Sequence, residues 1–174
     1  TSAQNSRSTG AYTVHRFGSI PGTRSYAGSE PEAHHEPTVA EELDDLVALD
    51  PRWACIGAIP VGAHGSVIDH LVVGPGGVFT INEWHHNVPD SRHEAERAGK
   101  LLSATANAAI TARGLIVPVG VAELTVKEQP VDVQVVEASA LVDFLIGQPE
   151  ALDAYTIALV LTCARLSSTW RPAS

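Results

Sequence analysis

Two apolar runs, "VIDHLVV" and "VFTINEW", end in polar side chains on either side of Pro75-Gly76-Gly77. The first carries Asp69 and His70; the second closes on Asn82, Glu83 and Trp84, followed by His85 and His86. A hairpin across that turn brings these ends together. Carboxylate and amide oxygens are ligands for a hard cation such as Mg2+, and an imidazole is the usual proton acceptor near neutral pH. Residues two apart on a strand share a face. Asn82 and Trp84 are therefore expected on one side, and Glu83 on the other, facing solvent rather than the pocket of Asp69. His85 and His86 are adjacent on a strand and point to opposite faces, so they are poor co-ligands. The eight histidines fall into no zinc spacing, and the two cysteines are not paired for one. His34 and His35 are expected to be exposed on the same argument.

One further carboxylate is placed to join this group. Glu94 follows Ser91 at capping-box spacing, and that bland role is the favoured reading. It also falls in the stripe of Ala98, Leu101 and Thr105, which would turn it toward the sheet and into the site. Arg97, Lys100 and His93 lie on the opposite, solvated face, within range of a weak phosphate contact. The "GPGG" turn is no phosphate loop, because it lacks the lysine and the Ser or Thr that such a loop requires. Its glycines are accounted for by turn geometry.

The elements that must hold these residues are legible in outline. Residues 1–28 contain Ser, Thr, Gly and Arg without a regular period and read as a flexible leader, with a short strand near "AYTVHRF". Thr38 and Glu41 form a capping box for a helix with Val39, Leu43, Leu46 and Leu49 on one side, stopped at Asp50-Pro51. "RWACIGAI" reads as a strand and the two runs above as a hairpin. "SRHEAERAGKLLSATANAAITARG" is predicted as one long helix with the stripe Ala95, Ala98, Leu101, Leu102, Thr105, Ala109, Ala112 and a C-cap at Gly114. "LIVPVGVAEL" and "DVQVVE" read as buried strands, with Asp132 opening the second. "SALVDFLIG" reads as a short helix, and "PEALDAYTIALVLTCARL" as a final helix with Pro149 near its first turn, with a strand as the alternative from its Thr-Ile and Val-Leu-Thr content. An antiparallel hairpin followed by a crossover helix implies an α/β domain: a mixed central sheet flanked by helices. Residues 29–174 are taken as that domain.

Composition narrows the class. The chain has 174 residues, 44% hydrophobic and 18% charged, enough for a real core. A formal charge of −9 excludes the broad basic footprint of a non-specific nucleic-acid binder, though not a metal-assisted nuclease. Cys55 and Cys163 sit in apolar runs and read as buried free thiols. No run reaches the length of about 20 apolar residues that a membrane span needs, and no signal pattern opens the chain. A cytoplasmic protein, excised or processed from a longer one, is the default expectation.

The run "GSVIDHLVVGPGGVFTIN" resembles the heart of the NERD (nuclease-related) domain, which is placed among the restriction-endonuclease-like proteins. "SRHEAERAGKLLSATANA", "VAELTVKEQPVDVQVV" and "LDPRWACIGAIPVG" resemble its crossover helix, next strand region and first strand, so the resemblance covers about residues 36–170. It implies a restriction-endonuclease-like fold and a Mg2+-dependent nuclease site built from two carboxylates and a lysine. Asp69 falls on the first carboxylate, Asn82 on the second, Trp84 on the lysine, and Glu36 near an upstream helix glutamate. The family's further hairpin is shortened or lost after "HHNVPD". The resemblance thus implies a degenerate metal site, with Asp69 the one matching ligand. Three expectations follow: an inactive nuclease-related domain that binds nucleic acid or a protein partner; an active Mg2+ nuclease using Asp69, Glu36 or Glu94, with His85 or His86 replacing lysine; or a purely structural domain of a larger protein.

Overall fold

The computed structural model describes residues 12–14, 37–61, 67–84, 90–120, 124–126 and 133–171. Glu36, His34, His35, His64, His85, His86 and Asp132 lie outside this set. The elements run β1 (Tyr12–Val14), α1 (Val39–Leu49), β2 (Ala54–Pro60), β3 (Val67–Gly74), β4 (Gly77–Trp84), α2 (Ser91–Ala106), β5 (Ala112–Pro118), β6 (Leu124–Val126), β7 (Val133–Val135), α3 (Leu141–Ile146) and α4 (Ala154–Ala164).

The main sheet has the order β2-β3-β4-β5-β7. β2, β3 and β4 are antiparallel, while β4–β5 and β5–β7 are parallel. α2 makes the crossover that a parallel β4–β5 pair requires. This is the mixed α/β sheet with flanking helices that the element order implied. β1 and β6 form a separate antiparallel pair, so the strand expected in "AYTVHRF" is present. Among the described residues no helix is long and apolar enough to cross a membrane.

Alternation along β4 divides the interior in two. Val78, with Leu71 and Val73 of β3, faces α2 and α4 and packs on Ala98, Leu102, Val160 and Cys163. Phe79 and Ile81 face the other way, onto Leu43 and Leu46 of α1, Leu141 and Leu145 of α3, and Trp53. α1 starts as the capping box dictates: Glu41 N–H donates to Thr38 Oγ1 at 3.2 Å and Thr38 N–H to Glu41 Oε2 at 2.8 Å. Its stripe is one residue shorter than predicted, because Leu49 is 68% exposed.

Two helix boundaries differ from the sequence reading. α2 stops at Ala106, with Asn107 in the left-handed region at φ 50° as its C-cap. Asparagine is the residue after glycine that tolerates this conformation, and the alanine-rich run beyond it hid the stop. Ala109 lies past the helix, and Ala112 and Gly114 lie in β5. A Cβ at Gly114 would stand 2.8 Å from the backbone oxygen of Ser91, so the glycine is needed for the strand to approach the start of α2. α4 begins at Ala154 rather than near Pro149, because Asp153 Oδ1 accepts the Thr156 N–H at 2.7 Å and caps it there.

The β3–β4 turn is fixed from outside as well as by its own residues. A Cβ at Gly74 would come within 2.2 Å of the Trp53 ring, so that ring occupies the space a side chain would fill. The carbonyl of Pro75 accepts from both Ala151 and Leu152 N–H, tying the turn to the lead-in of α4.

Candidate functional site

The site begins with a fault in the sheet. The β2–β3 ladder pairs Gly57 with His70 and Ile59 with Ile68, but skips Ala58 and Asp69. Ala58 has φ 53°, a left-handed conformation that L-residues adopt at a cost. Ile56 and Ile59, three residues apart, both pack on the α2/α4 core, as do their partners Leu71 and Ile68. An odd interval on one face means that both strands turn over at this level without losing register. Asp69 is thereby released from the plain alternation of β3.

Side chains replace the missing ladder. The β3–β4 pairing ends at His70 opposite Ile81. Beyond it, Glu83 N–H donates to Asp69 Oδ2 at 2.8 Å, and Asp69 N–H reaches Asn82 Oδ1 at 3.4 Å. Asn82 is 2% exposed and points toward α2. Its amide nitrogen donates to Ser91 Oγ at 3.0 Å and to Glu94 Oε2 at 2.6 Å. The amide orientation is set by chemistry, since the Asp69 N–H can only donate and an ionised Glu94 carboxylate can only accept.

Glu94 therefore does point into the site, and the capping-box reading of Ser91 and Glu94 is overturned. Ser91 is the first residue of α2, Asp90 is its N-cap, and no side chain caps it. The reason is Asn82, which takes up both groups. Burial raises the Glu94 carboxyl above its ordinary range, as do the charges of Asp90 and Asp69; the Asn82 hydrogen bond works against them.

The second half of the site lies on the opposite side of the sheet. His70 Nε2 is 3.2 Å from Glu83 Oε1, and Cys55 Sγ is 3.9 Å from His70 Nδ1. A cavity of about 380 Å³ is lined by Ala58, Asp69, His70 and Glu83. Glu83 was expected on the far side from Asp69; the double kink instead lets both carboxylates reach this cavity. Cys55 is partly exposed, whereas Cys163 is buried as expected. Trp84 is half-buried, in register with Pro118 of β5, and its carbonyl accepts from Val119 N–H at 3.0 Å.

Of the residues singled out from sequence, Asp69, Asn82 and Glu94 come together, and Trp84 stands two residues beyond Asn82 at the strand end. Glu36 and His85 lie outside the described residues. Reasoning from sequence missed Ser91 and Ala58 as parts of the site, and Cys55 and His70 as neighbours. The Ile56/Ile59 interval was the available signal for the kink, since it breaks the period of two.

These residues do not fit a magnesium ion. A cation between Asn82 and Glu94 would meet the amide N–H2, a donor, rather than an oxygen. One oxygen of Asp69 is already taken by the Glu83 amide. Among the described residues no group of three His, Cys, Asp or Glu side chains is arranged to hold a metal. Of the carboxylates expected beside Asp69, Glu94 is bound to the Asn82 amide and Glu36 lies outside the described residues. No protein-family model matches the chain, nor does any curated protein or solved structure.

Proposed function

We propose that this chain is a non-catalytic, nuclease-related domain of the NERD type, with a restriction-endonuclease-like fold, and that it serves as a binding module for nucleic acid. The observation that carries the reading is the Asn82 amide. It sits where the resemblance calls for a second carboxylate, and it holds the neighbouring groups by hydrogen bonds instead. Its N–H2 donates to Glu94, and its oxygen accepts from the Asp69 backbone. Trp84 at the lysine position supplies neither a cation nor a base.

Support for nucleic acid as the partner comes from the charge distribution. In a chain of formal charge −9, four of the eleven Lys and Arg side chains, Arg92, Arg97, Lys100 and Arg113, lie on α2 and the start of β5. Arg92 and Arg113 line a groove of about 500 Å³ with Glu96, Thr111 and Gln134; Arg92 pairs with Glu96, and Arg113 donates to Gln148 and to the Gly76 carbonyl. Phosphate contacts by such residues position a nucleic acid without reading its sequence.

The test combines Mg2+ and Mn2+ calorimetry with fluorescence anisotropy on labelled single- and double-stranded oligonucleotides. Wild-type protein is expected to bind oligonucleotide in a salt-dependent way without cleaving it, and to show no cation binding up to millimolar. The double substitution Asn82→Asp with Trp84→Lys is expected to gain cation binding. Wild-type cation binding that disappears in Asp69→Ala, together with plasmid cleavage, would instead establish the active-nuclease reading. A lack of oligonucleotide binding would turn the search to a protein partner.

A further inference from the structure

Cys55, His70 and Glu83 come from three adjacent strands, β2, β3 and β4, and stand in line on the sheet face that carries Phe79 and Ile81. The carboxylate lies 3.2 Å from Nε2 and the sulfur 3.9 Å from Nδ1 of the same ring. This is the order nucleophile, base, orienting carboxylate. None of the three is used in the proposed binding function, and the cavity beside His70 leaves room for a small molecule to reach the ring.

We propose that Cys55 is a reactive thiol, with His70 as its general base and Glu83 as the positioning residue for that base, and that it undergoes thiol–disulfide exchange with small cationic disulfides. With Nε2–H donated to Glu83, the Nδ1 lone pair faces Cys55 Sγ. As Sγ attacks one sulfur of the disulfide, its proton passes to Nδ1. A new Sγ–S bond forms, the old S–S bond breaks, and the departing thiolate takes the proton back from the ring. Cys55 is oxidised to the mixed disulfide and half of the reagent is reduced to a thiol, so no other reactant is needed.

The surroundings explain why the base is required. Burial, with a further contribution from Asp44 of α1, pushes the Cys55 thiol up to about 11. Almost none of it is ionised at neutral pH, so a reaction there depends on proton transfer during attack. Among the described residues, the charged groups that face the site are Asp44 from α1, Asp69 from β3 and Glu83 from β4, all acidic. Their field favours a cationic reagent and disfavours an anionic one. Cys163, 5% exposed in the other core, is an internal control.

The experiment follows mixed-disulfide formation at each cysteine by peptide mass spectrometry, using cystamine and the anionic 3,3′-dithiodipropionate as probes. In the full chain Cys55 is expected to react and Cys163 to remain free. Cystamine should be several-fold faster than the anionic probe at low salt, with the gap closing at high salt. His70→Phe should slow Cys55 at least tenfold, and Glu83→Gln several-fold, at unchanged far-ultraviolet circular dichroism. A wild-type Cys55 that reacts with cystamine no faster than Cys163, or that favours the anionic probe at low salt, would overturn the proposal, as would equal rates in wild type and folded His70→Phe.

Discussion

At the level of Asp69 the two faces of the sheet are built in opposite ways. Toward α2, Asn82 is almost fully buried and every polar atom of its amide is engaged, by Ser91, Glu94 and the Asp69 backbone. Toward the other side, His70 and Glu83 keep 17% and 28% side-chain exposure around an open cavity. The first arrangement is closed and structural; the second is reachable and has an imidazole with one nitrogen turned toward a thiol. A buried polar network contributes when all of its members are satisfied and becomes costly when one is removed. A part-buried one beside an open cavity costs less to alter, so it is freer to be chemical. The residues that a nuclease-like reading would place at the reaction centre are therefore the ones holding the fold together here.

That contrast can be broken most visibly at Asn82. Asn82→Leu leaves the Ser91 hydroxyl, the Glu94 carboxylate and the Asp69 N–H without their partner, and is expected to cost about 2–4 kcal/mol in urea denaturation. A loss below about 1 kcal/mol would mean that the closed face is not closed. On the open face His70→Phe should change stability by about 1 kcal/mol or less, while changing Cys55 chemistry as described above. Observing the reverse pattern, a large loss of stability at His70 and a small one at Asn82, would invert the comparison.

Smaller effects sharpen it. Ala58 is exposed and holds a left-handed φ, so Ala58→Gly should raise stability by about 0.5–1 kcal/mol. No gain would show that the kink is not strained. The weakest signal belongs to Glu94. Its carboxyl is raised in the fold above its ordinary value of 4.5. Between those two values the folded chain holds more protons than the unfolded one, so this group's contribution falls as pH rises through that window. Glu94→Gln removes the ionisation and keeps an oxygen to accept from Asn82. At pH 7 it should match or exceed wild type by less than about 1 kcal/mol, and the advantage should shrink on acidification toward pH 4. An advantage that grows on acidification would contradict the burial of that carboxylate.

Much of the fold could be read because its signals are local. Thr38 and Glu41 cap α1 where spacing placed them, and "VIDHLVV" and "VFTINEW" pair across their turn. The crossover helix followed from the order of elements. The misplaced boundaries have a shared cause: Asn107 and Asp153 act through backbone geometry and a single capping bond, which a run of alanines or a nearby proline masks in one dimension. The site was legible at Asp69, Asn82 and Glu94 as residues, but not in its logic. Capping-box spacing offered Ser91 and Glu94 a local partner for each other, and the long-range partner, Asn82, prevailed. The pairing of Cys55 with His70 depends on the register of β2 against β3, fixed by the burial of both strands together rather than by either alone.

The side-chain bonds that replace the ladder beyond His70 also have a spectroscopic consequence. The amide of Asp69 is held by Asn82, and that of Glu83 by the Asp69 carboxylate. In hydrogen exchange their protection is governed by the rotamers of those two side chains rather than by separation of the strands. A heteronuclear spectrum of this protein thus carries two built-in reporters. The Asp69 cross-peak follows the fate of the amide network beneath α2. The Glu83 cross-peak follows events in the cavity that Asp69 and His70 line.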